Sequence, residues 1–228
     1  MWRLTQQIGF KVQALLQLRV SLKEDVKQIL FGDDSESDAV IYSLYSDICS
    51  RRIDRSEVRE ILKSFRVIGN QVDTILELQS QVPMTDPVEK IYINLEADTD
   101  SEYYIKFGRR TLPCFNSFQL ALDLYQDGRL SEDHLVIVAQ DMISNYGFTS
   151  EEMDKSYDGL IRRQTLGAPC VETLNPILKK QGIITEDFEP SVSPQQVVGH
   201  TEGEGAVELA GNFEPWVPEH IDYLHDYR

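Results

Sequence analysis

Apolar side chains recur along most of this chain at intervals of three and four residues, the mark of helices that bury one face. Leu4, Ile8, Val12, Leu15, Leu16 and Val20 open the series. Ser21 with Glu24 makes a capping-box pattern, which predicts a second helix running to about Leu30 with Gly32 as its stop. Val40, Ile41, Leu44, Tyr45 and Ile48 predict another. Asp54 and Glu57 cap a longer run in which Val58, Ile61, Phe65, Ile68, Val72 and Ile75 form a heptad-like seam, best suited to one helix in a bundle.

The period then changes. Ile91, Ile93 and Leu95 alternate with polar neighbours, and so do Tyr103, Ile105 and Phe107. This predicts a β-hairpin with Ala97–Ser101 as its loop, pairing Leu95 with Tyr103, Ile93 with Ile105 and Ile91 with Phe107. A third strand near Leu112 would support it, since an isolated hairpin is marginal. Helical spacing returns at Phe118, Leu122 and Tyr125, at Leu135, Ala139 and Met142, at Met153, Tyr157 and Leu160, and at Val171, Leu174 and Leu178. Asn116, Ser131 and Thr149 (with Glu152) are the caps, and Gly128, Gly147 and Gly182 the stops.

The fold class expected is α+β: seven or eight helices, one small β-hairpin and an extended acidic C-terminal tail. The organisation read from texture is a helical region 1–82, a hairpin-plus-helical region 88–184 packed with it, and a tail 185–228. Ten acids and one base lie from Glu186 onward, with four prolines and four glycines, which argues for little regular structure. Its end is apolar: Phe213, Trp216, Val217, Ile221, Tyr223 and Leu224. Pro218 could open a short helix through Tyr227.

Charge narrows the classes of function. The chain carries 38 acidic and 22 basic residues in 228, a formal −16. A broad nucleic-acid binder needs a basic surface, so that class is disfavoured. The longest apolar run, Leu135–Ala139, is far below the roughly 20 residues of a membrane span. Cys49, Cys114 and Cys170 are widely spaced and form no CxxC pair, consistent with buried thiols in a reducing compartment such as the cytoplasm. The first 23 residues hold Arg3, Lys11, Arg19 and Lys23 and no acid. That pattern fits a helix packed on the core, with a mitochondrial leader or a membrane-surface helix as minor alternatives.

Candidate chemistry is sparse. Glu96, Asp98, Asp100 and Glu102 would crowd the hairpin tip and are weak candidates for a divalent cation, although the calcium-loop glycine and terminal glutamate are missing. His220 and His225 miss the i,i+4 spacing of a helical metal pair. No nucleophile elbow, phosphate loop or dinucleotide fingerprint occurs, and no cofactor is implied. Arg52, Arg59 and Arg66 recur every seven residues and would line one helix as a basic stripe. Val171–Ile184 loosely suits the end of a winged-helix unit.

The leading expectation is a non-catalytic interaction protein: an adaptor, assembly factor or structural subunit. Its docking segment is the acidic tail, with Phe213, Trp216, Ile221 and Leu224 as contacts and a partner bearing a basic surface. Self-association through the Val58–Ile75 seam is a further expectation. The alternatives are an enzyme or cation site at the hairpin tip and a nucleic-acid regulator using Arg52, Arg59 and Arg66.

Overall fold

The computed structural model describes residues 2–35, 37–194 and 215–225, with side chains from Gln7 onward. It is a mixed α/β structure. Its elements are α1 (Trp2–Ser21), β1 (Gln28–Asp33), α2 (Asp38–Ser50), α3 (Arg55–Ser64), α4 (Gly69–Gln81), β2 (Val88–Asn94), a 3-10 helix (Ser101–Phe107), β3 (Thr111–Cys114), α5 (Ser117–Gln126), α6 (Glu132–Tyr146), α7 (Ser150–Arg162) and α8 (Ala168–Lys180). Two compact units emerge. The first is Met1–Pro113 together with Phe213–Arg228, and the second is Cys114–Asn212. The first unit is therefore discontinuous: the chain leaves it after β3 and returns at its end.

The first unit is built on a three-stranded sheet in the order β1-β2-β3. β1 and β2 are parallel, with Leu30 opposite Ile91, Phe31 opposite Tyr92 and Gly32 opposite Ile93. A parallel pair needs a long crossover, here the segment holding α2, α3 and α4. Phe31 and Tyr92 stack across the pair with ring centroids 5.4 Å apart. β2 lies in the middle of the sheet and is buried over most of its length, so its apolar run includes Tyr92 as well as Ile91 and Ile93. α1 packs on α4 and α2, burying Ile8, Val12 and Leu16.

Two sequence expectations are corrected by this sheet. Residues 22–30 are not a helix. Ser21 gives its hydroxyl to the Leu18 carbonyl instead of capping a new turn. The fully buried Arg19 guanidinium then gathers the carbonyls of Lys23, Glu24 and Val26 into a tight exit from α1. Ile29, Leu30 and Phe31 follow as a strand, a case where a short apolar run does not reveal its period. The hairpin is absent too. β2 pairs with β1 on one side and β3 on the other, so the Leu112 region is indeed a strand beside it. Asp34 accepts hydrogen bonds from the Glu96 N–H and the Thr99 hydroxyl and turns the chain away from the sheet. Asp100 caps the 3-10 helix by accepting from the Glu102 N–H. In that helix Tyr104 and Phe107 are buried three residues apart, while Tyr103 and Ile105 lie outward.

The long seam is two helices. α3 is capped at its C-terminus by Phe65, and Arg66 sits in the left-handed region at φ 57° where glycine is usual. The Val67 N–H reaches back to the Leu62 carbonyl, the six-to-one bond of a helix stop. Ile68 becomes the N-terminal cap of α4, so its side chain is 64% exposed while Val58, Ile61, Phe65, Val72 and Ile75 are buried. That seam belongs to the core of the first unit, which removes it as a surface for self-association.

The second unit follows its sequence signals closely. Asn116 accepts from the Gln119 N–H, Ser131 from the His134 N–H, and Thr149 with Glu152 closes a capping box. Phe118, Leu122, Leu135, Ala139, Met153, Tyr157, Leu160, Leu174 and Leu178 are buried. The unit continues beyond α8. Ile183, Ile184 and Phe188 are buried, Phe188 stacks on Tyr157 at 5.4 Å, and Ser191 hydrogen-bonds the Asp158 carboxylate. Residues 182–188 form turns, not the strand of a winged helix. The start of the acidic tail is thus irregular in backbone but packed on the second unit.

Candidate functional site

The chain's last described residues, 215–225, cross the first unit as a strap. Arg110 shows how the seat is made. Its carbonyl accepts from the Ile91 N–H of β2, and its own N–H donates to the Trp216 carbonyl at 3.2 Å. The Arg109 N–H donates to the Pro215 carbonyl at 3.1 Å. The strap is therefore held through its main chain at the turn that leads into β3, beside the sheet and not as a strand of it. Gly108 permits the close approach. Its φ is 80°, and a Cβ there would stand 2.6 Å from the Trp216 carbonyl oxygen and 2.7 Å from Pro218 Cδ.

Side chains complete the seat. The Lys90 ammonium lies 5.5 Å from the Trp216 ring centroid and 5.9 Å from that of Tyr92, a cation–π pair of contacts. Ile221 and Tyr223 are buried in the core of the first unit. The Tyr223 hydroxyl donates to the Asp47 carboxylate. Asp222 then ends the strap in a turn, accepting from the N–H groups of Leu224 and His225.

Beneath Tyr223 lies a network of charged and polar side chains. Arg52 pairs with Asp47 and Asp86, and the fully buried Arg110 pairs with Asp86 at 2.7 Å. Arg110 also donates to the Ser46 hydroxyl at 2.7 Å, and Ser46 donates to Asp86 at 2.8 Å. The two acids differ in electrostatic state. Burial raises the Asp47 carboxyl above its ordinary range, only partly offset by Arg52, Tyr223 and Arg110. Burial acts upward on Asp86 as well, but Arg110, the Val88 N–H, Arg52 and Ser46 outweigh it and leave Asp86 below its ordinary range. Burial, with Asp47 beside it, pushes the Tyr223 hydroxyl far above its usual value, so it is a fixed donor. The network ties α2, the turn after it, the entry to β2, the entry to β3 and the strap together.

The residues expected from sequence fall in several places. Trp216 and Ile221 are strap residues seated on the chain itself, Leu224 is exposed at the strap's end, and Phe213 lies outside the described residues. No helix forms among 218–225. Arg52, Arg59 and Arg66 do not share one helix. Arg52 lies before α3 in the buried network, Arg59 on α3 pairs with Asp73 of α4, and Arg66 is the exposed helix stop. Glu96, Asp98, Asp100 and Glu102 are exposed along the turn after β2 and the start of the 3-10 helix. Among the described residues no three His, Cys, Asp or Glu side chains group so as to hold a metal ion, and no helix is long and apolar enough to cross a membrane.

In the basic N-terminal helix, Lys11 pairs with Asp38 and Arg19 is buried. The helix's inner face packs in the core, while Phe10 and Leu18 remain outward. Burial pushes the thiols of Cys49 and Cys170 up to about 12, far from the thiolate form that reacts or binds metal. The sequence places Tyr223 only in the apolar end of the tail and gives Asp47 no role. The available signal was an aspartate set among Leu44, Tyr45 and Ile48 of an otherwise apolar helix face.

No protein-family model matches the chain, and no curated protein or solved structure is found to be similar to it.

Proposed function

We propose that this is a non-catalytic interaction protein, an adaptor, assembly factor or structural subunit, and that peptide capture by the first unit is its mode of action. The observation that carries this reading is the strap: a stretch of main chain held at the turn before β3 by two backbone hydrogen bonds, with Trp216 over Lys90 and with Ile221 and Tyr223 buried. Backbone bonds that hold a segment and sites that bury its side chains are the physical ingredients of peptide recognition. The charged groups nearby fit a binding role, because Asp47, Asp86, Arg52 and Arg110 are engaged with one another and with the strap. The formal charge of −16 favours a partner with a basic surface.

The test is purification of the full chain from its source cells at low ionic strength, with the associated proteins quantified against the chain. The expected result is a protein partner in near-stoichiometric amount, released as salt rises and the attraction is screened. Recovery of the chain with no stoichiometric protein at any ionic strength would contradict the reading.

A further inference from the structure

Resting on that reading, we infer that the strap is a releasable latch, and that its seat accepts in its place an extended segment of another protein presenting the same chemistry. That chemistry is defined by the seat. Two successive main-chain carbonyls meet the N–H groups of Arg109 and Arg110. An aromatic ring lies over Lys90. A β-branched apolar side chain and then a tyrosine follow, the tyrosine hydroxyl reaching Asp47. The Trp216 carbonyl and the Pro218 ring lie where a Cβ on Gly108 would stand, so the incoming segment packs against the bare backbone of Gly108.

The strap's position in the chain makes release a separate event from unfolding. It reaches the first unit from a different direction in sequence, after the whole of the second unit, and Ser191 is the last described residue before it with a hydrogen bond in that unit. None of the three strands, α1, or α2 to α4 is interrupted when it leaves. Its departure takes the acceptors from the Arg109 and Arg110 N–H groups and a hydroxyl donor from Asp47, which keeps Arg52; a replacement segment that offers two carbonyls and a hydroxyl restores those bonds.

Competition sets the affinity required. A segment tethered to its own seat acts at an effective concentration in the millimolar range. A peptide supplied in trans therefore meets a site closed against it, and opening the latch raises its apparent affinity without changing a single contact.

The experiment uses the full chain and a fluorescein-labelled synthetic peptide with the sequence of residues 213–225, read by fluorescence anisotropy. Ile221→Asp, placed in the strap, loosens the latch and leaves the seat intact. The peptide is expected to bind the Ile221→Asp chain saturably and the unaltered chain about a hundredfold or more weakly. Adding Asp47→Asn, or replacing the peptide's tyrosine by phenylalanine, is expected to weaken binding at least tenfold. Equal binding to both chains overturns the inference, as does no binding to an Ile221→Asp chain that keeps its circular dichroism spectrum.

If that variant fails to fold, amide exchange in the unaltered chain decides. The Arg109 and Arg110 amides should exchange through an opening that leaves Ile91 and Ile93 protected. Exchange of all four only through global unfolding overturns the latch. The two readings fail separately. Peptide binding supports the latch even if no partner co-purifies, whereas a partner held equally by the unaltered and Ile221→Asp chains overturns the latch and keeps the interaction reading.

Discussion

Tyr223 donates its hydroxyl proton to the carboxylate of Asp47 across 176 residues of chain. The contact closes a loop that contains β2, β3 and the whole second unit, and it joins the strap to the network around Asp86 and Arg110.

Asp86 is the acid on which the network depends. Replacing it by asparagine takes from the buried Arg110 its direct ion pair, and breaking a buried pair in this way costs about 3–5 kcal/mol. Urea unfolding of Asp86→Asn at pH 7 should show that loss. The acid side adds a sign. A carboxyl held below its unfolded value contributes stability above the ordinary pKa of about 4, and that contribution disappears as pH falls through the lower folded value. Asp86→Asn should therefore lose less stability than the unaltered chain between pH 5 and about 2.

Asp47 has the opposite sign. Its folded carboxyl takes up a proton above the pH at which the unfolded one does, so its ionisation costs stability at neutral pH and the cost fades on acidification. Asp47→Asn should accordingly destabilise less at pH 7 than Asp86→Asn. Parallel denaturant titrations of the two variants measure the difference.

Two isoleucines of one apparent seam should behave differently. Ile75 is fully buried, and Ile75→Ala should cost about 2–5 kcal/mol. Ile68, outward at the start of α4, should lose no more than about 0.5 kcal/mol on the same change.

Gly108 couples backbone freedom to the strap. Gly108→Ala adds a Cβ within 3 Å of Trp216 and Pro218 at a φ that alanine resists. The strap should lift, and limited digestion with a glutamate-specific protease should then cut at Glu219 faster than in the unaltered chain.

What the sequence made legible was local. The capping boxes of Asp54 with Glu57 and of Thr149 with Glu152, and the stops at Gly147 and Gly182, are decided within a few residues, and they form as the pattern implies. What it hid was non-local. Ile29-Leu30-Phe31 becomes a strand only because β2 lies beside it, and β2 arrives after a crossover of three helices. Tyr103-Ile105-Phe107 alternates like a strand, yet a 3-10 helix buries Tyr104 and Phe107 instead. Trp216 and Ile221 stood out as contact residues from their apolar character, but nothing in the sequence said that the surface they meet is their own chain. Asp47 and Tyr223 have meaning only as a pair, and no local pattern links them.

That pair gives the most direct measurement. A double-mutant cycle of Asp47→Asn and Tyr223→Phe, by urea unfolding of the full chain at pH 7, isolates their coupling from the other effects of each change. A seated strap predicts a coupling of about 1.5–3 kcal/mol, the range for a hydrogen bond to a charged group. Additive losses, with a coupling within about 0.3 kcal/mol of zero, would mean that the two side chains do not meet and that the strap does not close on the first unit.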